Sequence, residues 1–169
     1  FDDVEVPYEN LIGEENKGWD YAKFLLGNER TGIARVGVSK ERLRRIRDLA
    51  SKVESGGKPI IQDAAFREKL AACEIELKAL ELTQLRVVAD EGKHGKGKPN
   101  PASSVLKIKG SEIQQTTTEL LMEVIGPFAA PYDVHGDDGS NETMDWTAQI
   151  APSYFNNRKV SIYGGSNEI

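Results

Sequence analysis

The chain holds several stretches whose residue types could bear chemistry, and spacing disqualifies most of them. Gly92-Lys93-His94-Gly95-Lys96-Gly97-Lys98 carries the letters of a phosphate-binding loop. Yet Pro99 stands where a magnesium-binding hydroxyl belongs, and the run follows a helical pattern where such a loop follows a strand. A solvated interhelix loop is expected. His94 and His135 have no partners at metal-ligand spacing, and Asp133, Asp137 and Asp138 miss the spacing of a calcium loop, so no metal site is expected. Cys73, the only cysteine, lies on an apolar seam and reads as a small core residue rather than a nucleophile. Glu29 and Arg30 sit just after the apolar Phe24, Leu25 and Leu26, with Asn28 and Thr31 beside them. Taken alone, such a pair on a helix faces water. The remaining stretch is a terminal glycine turn, Ile162-Tyr163-Gly164-Gly165-Ser166-Asn167-Glu168-Ile169.

The elements that must position these residues are helical. A stretch free of proline runs from Gly18-Trp19 to about Glu54, with Ile33, Val36, Leu43, Ile46, Ala50 and Val53 on one face. A helix of about 35 residues would be about 50 Å long, a length that only packing against similar helices makes worthwhile. Ser55-Gly56-Gly57-Lys58-Pro59 breaks it. A second helix is expected from about Asp63 to Glu91, with Gln62-Asp63 available as its cap. Its seam is Phe66, Leu70, Cys73, Leu77 and Leu80, with Ile75 and Leu82 as a second stripe that implies a second neighbour. A third runs from Ala102 to Ile125 through Val105, Leu106, Ile113, Leu120, Leu121 and Val124, ended by Gly126-Pro127. After a polar loop from about 129 to 146, Ala151-Pro152 starts a short fourth helix through Phe155 and Val160. The expected fold is all-α: an up-down antiparallel four-helix bundle with three long helices and one shorter one. The seams would also suit coiled-coil contacts between chains, but the short loop between the first two helices favours an intrachain bundle, and the leftover stripes point to self-association.

Phe1-Asp2-Asp3-Val4-Glu5-Val6-Pro7 alternates apolar and polar residues as the end of a half-buried strand would. A strand needs a sheet, so residues 1–17 are expected to be the end of a β-domain and a linker, and 18–169 a bundle cut short at its C-terminus. The 169 residues, 38% apolar, suffice for one core. A net charge of -5 and a pI near 5.2 argue against nucleic acid. No apolar run nears the roughly 20 residues of a membrane span, and the lone cysteine suits a reducing, cytoplasmic setting.

Phe1 to Pro7, Asn10-Leu11-Ile12-Gly13-Glu14 with Gly18-Trp19, Asn28-Glu29-Arg30, and Lys159-Val160-Ser161-Ile162-Tyr163-Gly164-Gly165-Ser166-Asn167-Glu168-Ile169 together resemble, in order, the C-terminal part of an acyl-CoA dehydrogenase. The resemblance implies an enzyme that places a double bond between the α and β carbons of an acyl-CoA thioester. A carboxylate removes the α-proton and flavin adenine dinucleotide (FAD) takes the β-hydride. It further implies a tetramer, a dimer of dimers of like or unlike subunits, and an electron-transferring flavoprotein as acceptor. Many members carry their catalytic glutamate where this chain has Gly164. Members of the isovaleryl and long-chain type place it instead at the start of the first bundle helix, just before an arginine, which here is Glu29 followed by Arg30. The roles implied are Glu29 as base, the Gly164 N–H as donor to the developing enolate oxygen, Arg30, Tyr163 and Gly165 at the substrate, and Ser166 and Glu168 near the flavin.

The chain also departs from the family pattern. The first interhelix turn, Val53-Glu54-Ser55-Gly56-Gly57, lacks the family's arginine and phenylalanine, Ala64 replaces a glutamine, and Glu123, Gly126 and Pro127 replace a glutamine and double glycine. In the family these contact the neighbouring subunit's flavin, and Glu54 and Glu123 would repel its pyrophosphate. The alternative this leaves is a non-catalytic or half-site subunit of a heteromeric dehydrogenase, its bundle serving assembly. A helical interaction module unrelated to flavin is the third reading.

Overall fold

A computed structural model describes residues 1–28, 30–94, 101–129, 147 and 149–168, with the backbone alone at 26–28, 30–31 and 91–94. Its elements in order are α1 (Gly18–Asn28), α2 (Arg30–Ile33), α3 (Val36–Lys52), β1 (Glu54–Ser55), β2 (Lys58–Pro59), α4 (Ala64–His94), α5 (Ala102–Ile125) and α6 (Ile150–Asn157). The architecture is all-α, with α3, α4, α5 and α6 forming the antiparallel bundle and a two-residue hairpin between α3 and α4.

The first apolar run is interrupted before α3 rather than forming one helix of about 35 residues. Arg35, between α2 and α3, lies in the left-handed region, at φ 46°. That conformation costs an L-residue about 1–2 kcal/mol, and the cost is offset by the packing of its neighbour Ala34, which is fully buried against Gly110 of α5. Beyond this joint the spacing holds, and Val36, Leu43, Ile46 and Ala50 bury one face of α3.

The break after α3 is a tight hairpin, with Glu54 opposite Pro59 and Ser55 opposite Lys58. Gly56 and Gly57 take φ values of 60° and 78°, as a two-residue turn of this hand requires. Asp63 then caps α4, its carboxylate accepting from the Phe66 N–H at 2.8 Å. Phe66, Leu70, Cys73, Leu77 and Leu80 are all buried along the expected seam, while the stripe of Ile75, Leu82, Leu85 and Val88 is exposed.

α5 is the central element, packed against α2, α3, α4 and α6. Leu106, Ile113, Leu120, Leu121 and Val124 are buried as their periodicity predicts, but Val105 faces out. The same helix also buries Ser103, Lys107, Ser111, Gln114, Thr117 and Thr118. Gly126, at φ 60°, ends it. After α6 a 3-10 turn at Arg158–Ser161 leads to the terminal glycines; Val160 is buried and Phe155 is not. Residues 1–7 form no strand, and Phe1, Val4 and Val6 are exposed. Residues 95–100 and 130–146, with His135, Asp133, Asp137 and Asp138, where loops are expected from the sequence, lie outside the described residues, as does the His94 side chain. Among the described residues no cluster of metal-ligating side chains occurs, and no helix is long and apolar enough to cross a membrane.

Candidate functional site

The terminal turn is built from the backbone outward. The N–H groups of Ile162 and Tyr163 both donate to the Lys159 carbonyl, at 2.9 and 3.1 Å, continuing the 3-10 turn. Gly164 and Gly165 then adopt φ values of 70° and 95°, a reversal open to glycine and strained for any other residue. The Asn167 N–H returns to the Ser161 carbonyl at 3.0 Å and closes the loop. Among the described residues no acceptor is paired with the Gly164 N–H. A Cβ at Gly164 would lie 3.2 Å from Cδ1 of Ile33, whereas at Gly165 nothing lies within 4 Å.

The turn rests on one face of α5. Lys107 Nζ donates to Asn167 Oδ1 at 2.7 Å and to the Ser161 carbonyl at 3.3 Å. Ser111, one helical turn along, gives its proton to the Ile108 carbonyl at 2.7 Å and accepts from Asn167 Nδ2 at 3.0 Å. A hydroxyl has one proton to give, so this pattern orients the Asn167 amide with its oxygen toward Lys107. Gln114, three residues further, donates to the Gly110 carbonyl at 3.0 Å and to the Ile33 carbonyl at 3.4 Å. One polar stripe thus holds both the glycine turn and the end of α2.

A second set of bonds fixes the segment leading into the turn. Gln115 Nε2 donates to the carbonyls of Asn157 and Arg158 at 3.4 and 3.3 Å. The Arg158 guanidinium lies 4.4 Å from the Tyr154 ring centroid, donates to the Gln115 carbonyl and Thr118 Oγ1, and pairs with Glu119 at 2.8 Å. Arg42, half-buried on α3, approaches the Gln114 carbonyl and Asn157 Oδ1 at 3.5 Å. Burial first, and the charge of Arg35 second, hold its pKa below the ordinary arginine value.

Of the residues expected at the site, Gly164 meets Ile33, four residues after position 29 in sequence. Glu29 itself lies outside the described residues; Arg30 opens α2, and its side chain lies outside them too. Tyr163 and Gly165 are exposed on the turn. Ser166 Oγ hydrogen-bonds the Glu168 carboxylate and accepts from the Glu168 N–H at 3.3 Å. The backbone at Gly165 has open space beside it, and the Ser166–Glu168 pair follows it directly in the chain. Cys73 is buried, and desolvation, aided by Glu74 and Glu76, pushes its thiol up to about 11, which removes it from nucleophilic chemistry.

Three of the departures, Ser55, Ala64 and Glu123, line one cleft of about 500 Å³, together with Lys58 and Phe66 among others. Glu123 is not a free negative charge there, because Lys69 pairs with both of its oxygens at 2.9 and 3.0 Å and Lys58 lines the same cleft. The repulsion expected from Glu123 is therefore largely neutralised. Lys107, Ser111, Gln114 and Asn167 were given no role by the sequence reading. Their signal was a polar row at spacings of four and three, Lys107, Ser111, Gln114, on a helix otherwise buried on that side.

Known proteins share this fold. The long-chain specific mitochondrial acyl-CoA dehydrogenase of Sus scrofa is 30% identical over 174 residues, covering 100% of this chain and 36% of that protein. Butyryl-CoA dehydrogenase of Megasphaera elsdenii superimposes with a TM-score of 0.68 at 23% identity, over 98% of this chain and 40% of that one. The ChsE4–ChsE5 complex of Mycobacterium tuberculosis gives 0.68 at 25% identity, over 96% and 40%. The chain therefore spans well under half the length of these proteins. The family described as "Acyl-CoA dehydrogenase, C-terminal domain" matches residues 16–169, and with its bundle and glycine turn the chain belongs to the acyl-CoA dehydrogenase family as that C-terminal domain.

Proposed function

We propose that the chain works as the C-terminal domain of a longer FAD-dependent acyl-CoA dehydrogenase, with residues 1–17 leading in from a β-domain. Its reaction introduces an α,β double bond into an acyl-CoA thioester. Glu29 is the base that takes the α-proton, and the Gly164 N–H donates to the thioester oxygen as negative charge gathers there. Arg30, Tyr163 and Gly165 contact the substrate, and Ser166 and Glu168 border the flavin. When bound, the flavin supplies the acceptor for the β-hydride. The observation that carries the reading is the left-handed turn whose Gly164 packs on Ile33, four residues after Glu29 in sequence, with its N–H unpaired among the described residues. An α-proton of a thioester is weakly acidic, so a base near α2 and a fixed donor on the facing turn are the two groups its removal needs.

Glu29→Gln in the full-length protein tests it. Flavin reduction by acyl-CoA should fall by about 10²–10⁴-fold, the usual contribution of a general base. An unchanged rate refutes the assignment. The enzyme is further proposed to be a cytoplasmic tetramer, of like or unlike subunits, that passes its electrons to an electron-transferring flavoprotein.

A second reading is favoured by the cleft beside the hairpin, where the family's flavin-contacting residues are replaced. On it the chain is a half-site or non-catalytic subunit of a heteromeric enzyme. One FAD per chain in a purified homo-oligomer eliminates it; fewer flavins than chains, with a co-purifying partner subunit, supports it.

A further inference from the structure

We propose that Lys107 is the positioning residue of this site, clamping the neck of the glycine turn so that the Gly164 N–H keeps a fixed direction. The inference rests on the role given to Gly164 above. Lys107 is 6% exposed, and a buried ammonium is costly unless its protons are bonded. Among the described residues its acceptors are both neutral, and they stand at the two ends of the turn: the Ser161 carbonyl at 3.3 Å where the chain enters and Asn167 Oδ1 at 2.7 Å where it leaves. The backbone bond from Asn167 to Ser161 spans the same neck.

The turn needs such a clamp for a physical reason. Two consecutive glycines with positive φ have wide conformational freedom, and hydrogen-bond donation to a developing oxyanion requires a preorganised direction. Ile33 limits the loop on one side only. Ser111 completes the device by accepting from Asn167 Nδ2, and turning the amide over would set Nδ2 against the donor-only Lys107 ammonium and lose that bond. Lys107 touches no reacting atom. It acts through Asn167 and the backbone.

The test uses Lys107→Met in the full-length holoprotein, which keeps the length of the side chain and removes its donors. Hydrogen exchange over residues 162–168 should rise at least tenfold while the α4 seam around Leu77 stays protected. The rate of flavin reduction should fall about 10–100-fold with KM little changed, as expected for a donor misaimed by a fraction of an ångström. If the buried substitution prevents folding, Asn167→Ala cuts the same link from the half-buried end, and Asn167→Asp, which keeps an acceptor for Lys107, should restore both readouts. Unchanged exchange in Lys107→Met and Asn167→Ala overturns the clamp. Raised exchange with kcat and KM worsening together, or without kinetic change, overturns its link to catalysis. A wild-type protein that no acyl-CoA reduces refutes the proposed reaction and with it the catalytic half, and exchange still decides the clamp.

Discussion

Gly110 meets the backbone of Ala34 so closely that a Cβ there would stand 2.6 Å from the Ala34 Cα and 2.9 Å from its carbonyl oxygen. The crossing of α2 over α5 is set by this contact, and α2 carries the residues next to the proposed base. Gly110→Ala should force the two backbones apart and destabilise the fold by about 1–3 kcal/mol, read as a lower denaturation midpoint. Because Ile33 moves with Ala34, flavin reduction should slow as well.

Gly164 cannot simply receive a carboxylate. Gly164→Glu must hold an L-residue at φ 70° and displace Cδ1 of Ile33, together costing about 1–3 kcal/mol. In a Glu29→Gln background it should therefore fail to restore the wild-type rate of flavin reduction. Full rescue by the double variant would show that the turn relaxes freely.

The Cys73 thiol makes stability depend on pH in the alkaline range. Its folded pKa of about 11 is raised above the ordinary thiol value of 9.0, so its contribution is complete below about 9 and lost as pH rises toward 11. After allowance for solvent screening the effect is about 1–2 kcal/mol. Urea unfolding of wild type and Cys73→Val should diverge across that window and run parallel below it. Thiol-directed reagents at pH 8 should leave the folded protein nearly unlabelled.

Two substitutions at one ion pair should separate charge from anchoring. The Arg158–Glu119 pair is largely exposed at Glu119, so Glu119→Ala should cost under about 1 kcal/mol. Arg158→Ala also removes bonds to the Gln115 carbonyl and Thr118 and the contact over Tyr154, and should cost about 1–3 kcal/mol in thermal or urea unfolding.

The apolar skeleton was legible in the sequence because burial along a helix follows a fixed period. Phe66 through Leu80 on α4, and Leu106 through Val124 on α5, are buried where their spacing puts them, and the Asp63 cap is where a cap residue stands. Two features were hidden for physical reasons. Arg35 carries no breaker signal, and its left-handed conformation is imposed from outside by the approach of Gly110 to Ala34. Lys107, Ser111 and Gln114 look like a solvent-facing row, since polarity by itself does not distinguish water from the backbone carbonyls and amide of a facing turn. The glycine turn was recognisable from its letters, whereas its anchor lies more than fifty residues away in sequence.

The joint at Arg35 divides the first apolar run into segments of unequal cohesion. α3 sinks five residues into the bundle, while none of residues 18–25 is buried. A segment with so little buried surface opens at a lower free energy than the core it adjoins. In sequence the proposed base, Glu29, follows this loosely held segment, whereas the terminal glycine turn is bolted to α5 through Lys107 and Ser111. Residues 18–25 can therefore open locally while the bundle stays folded.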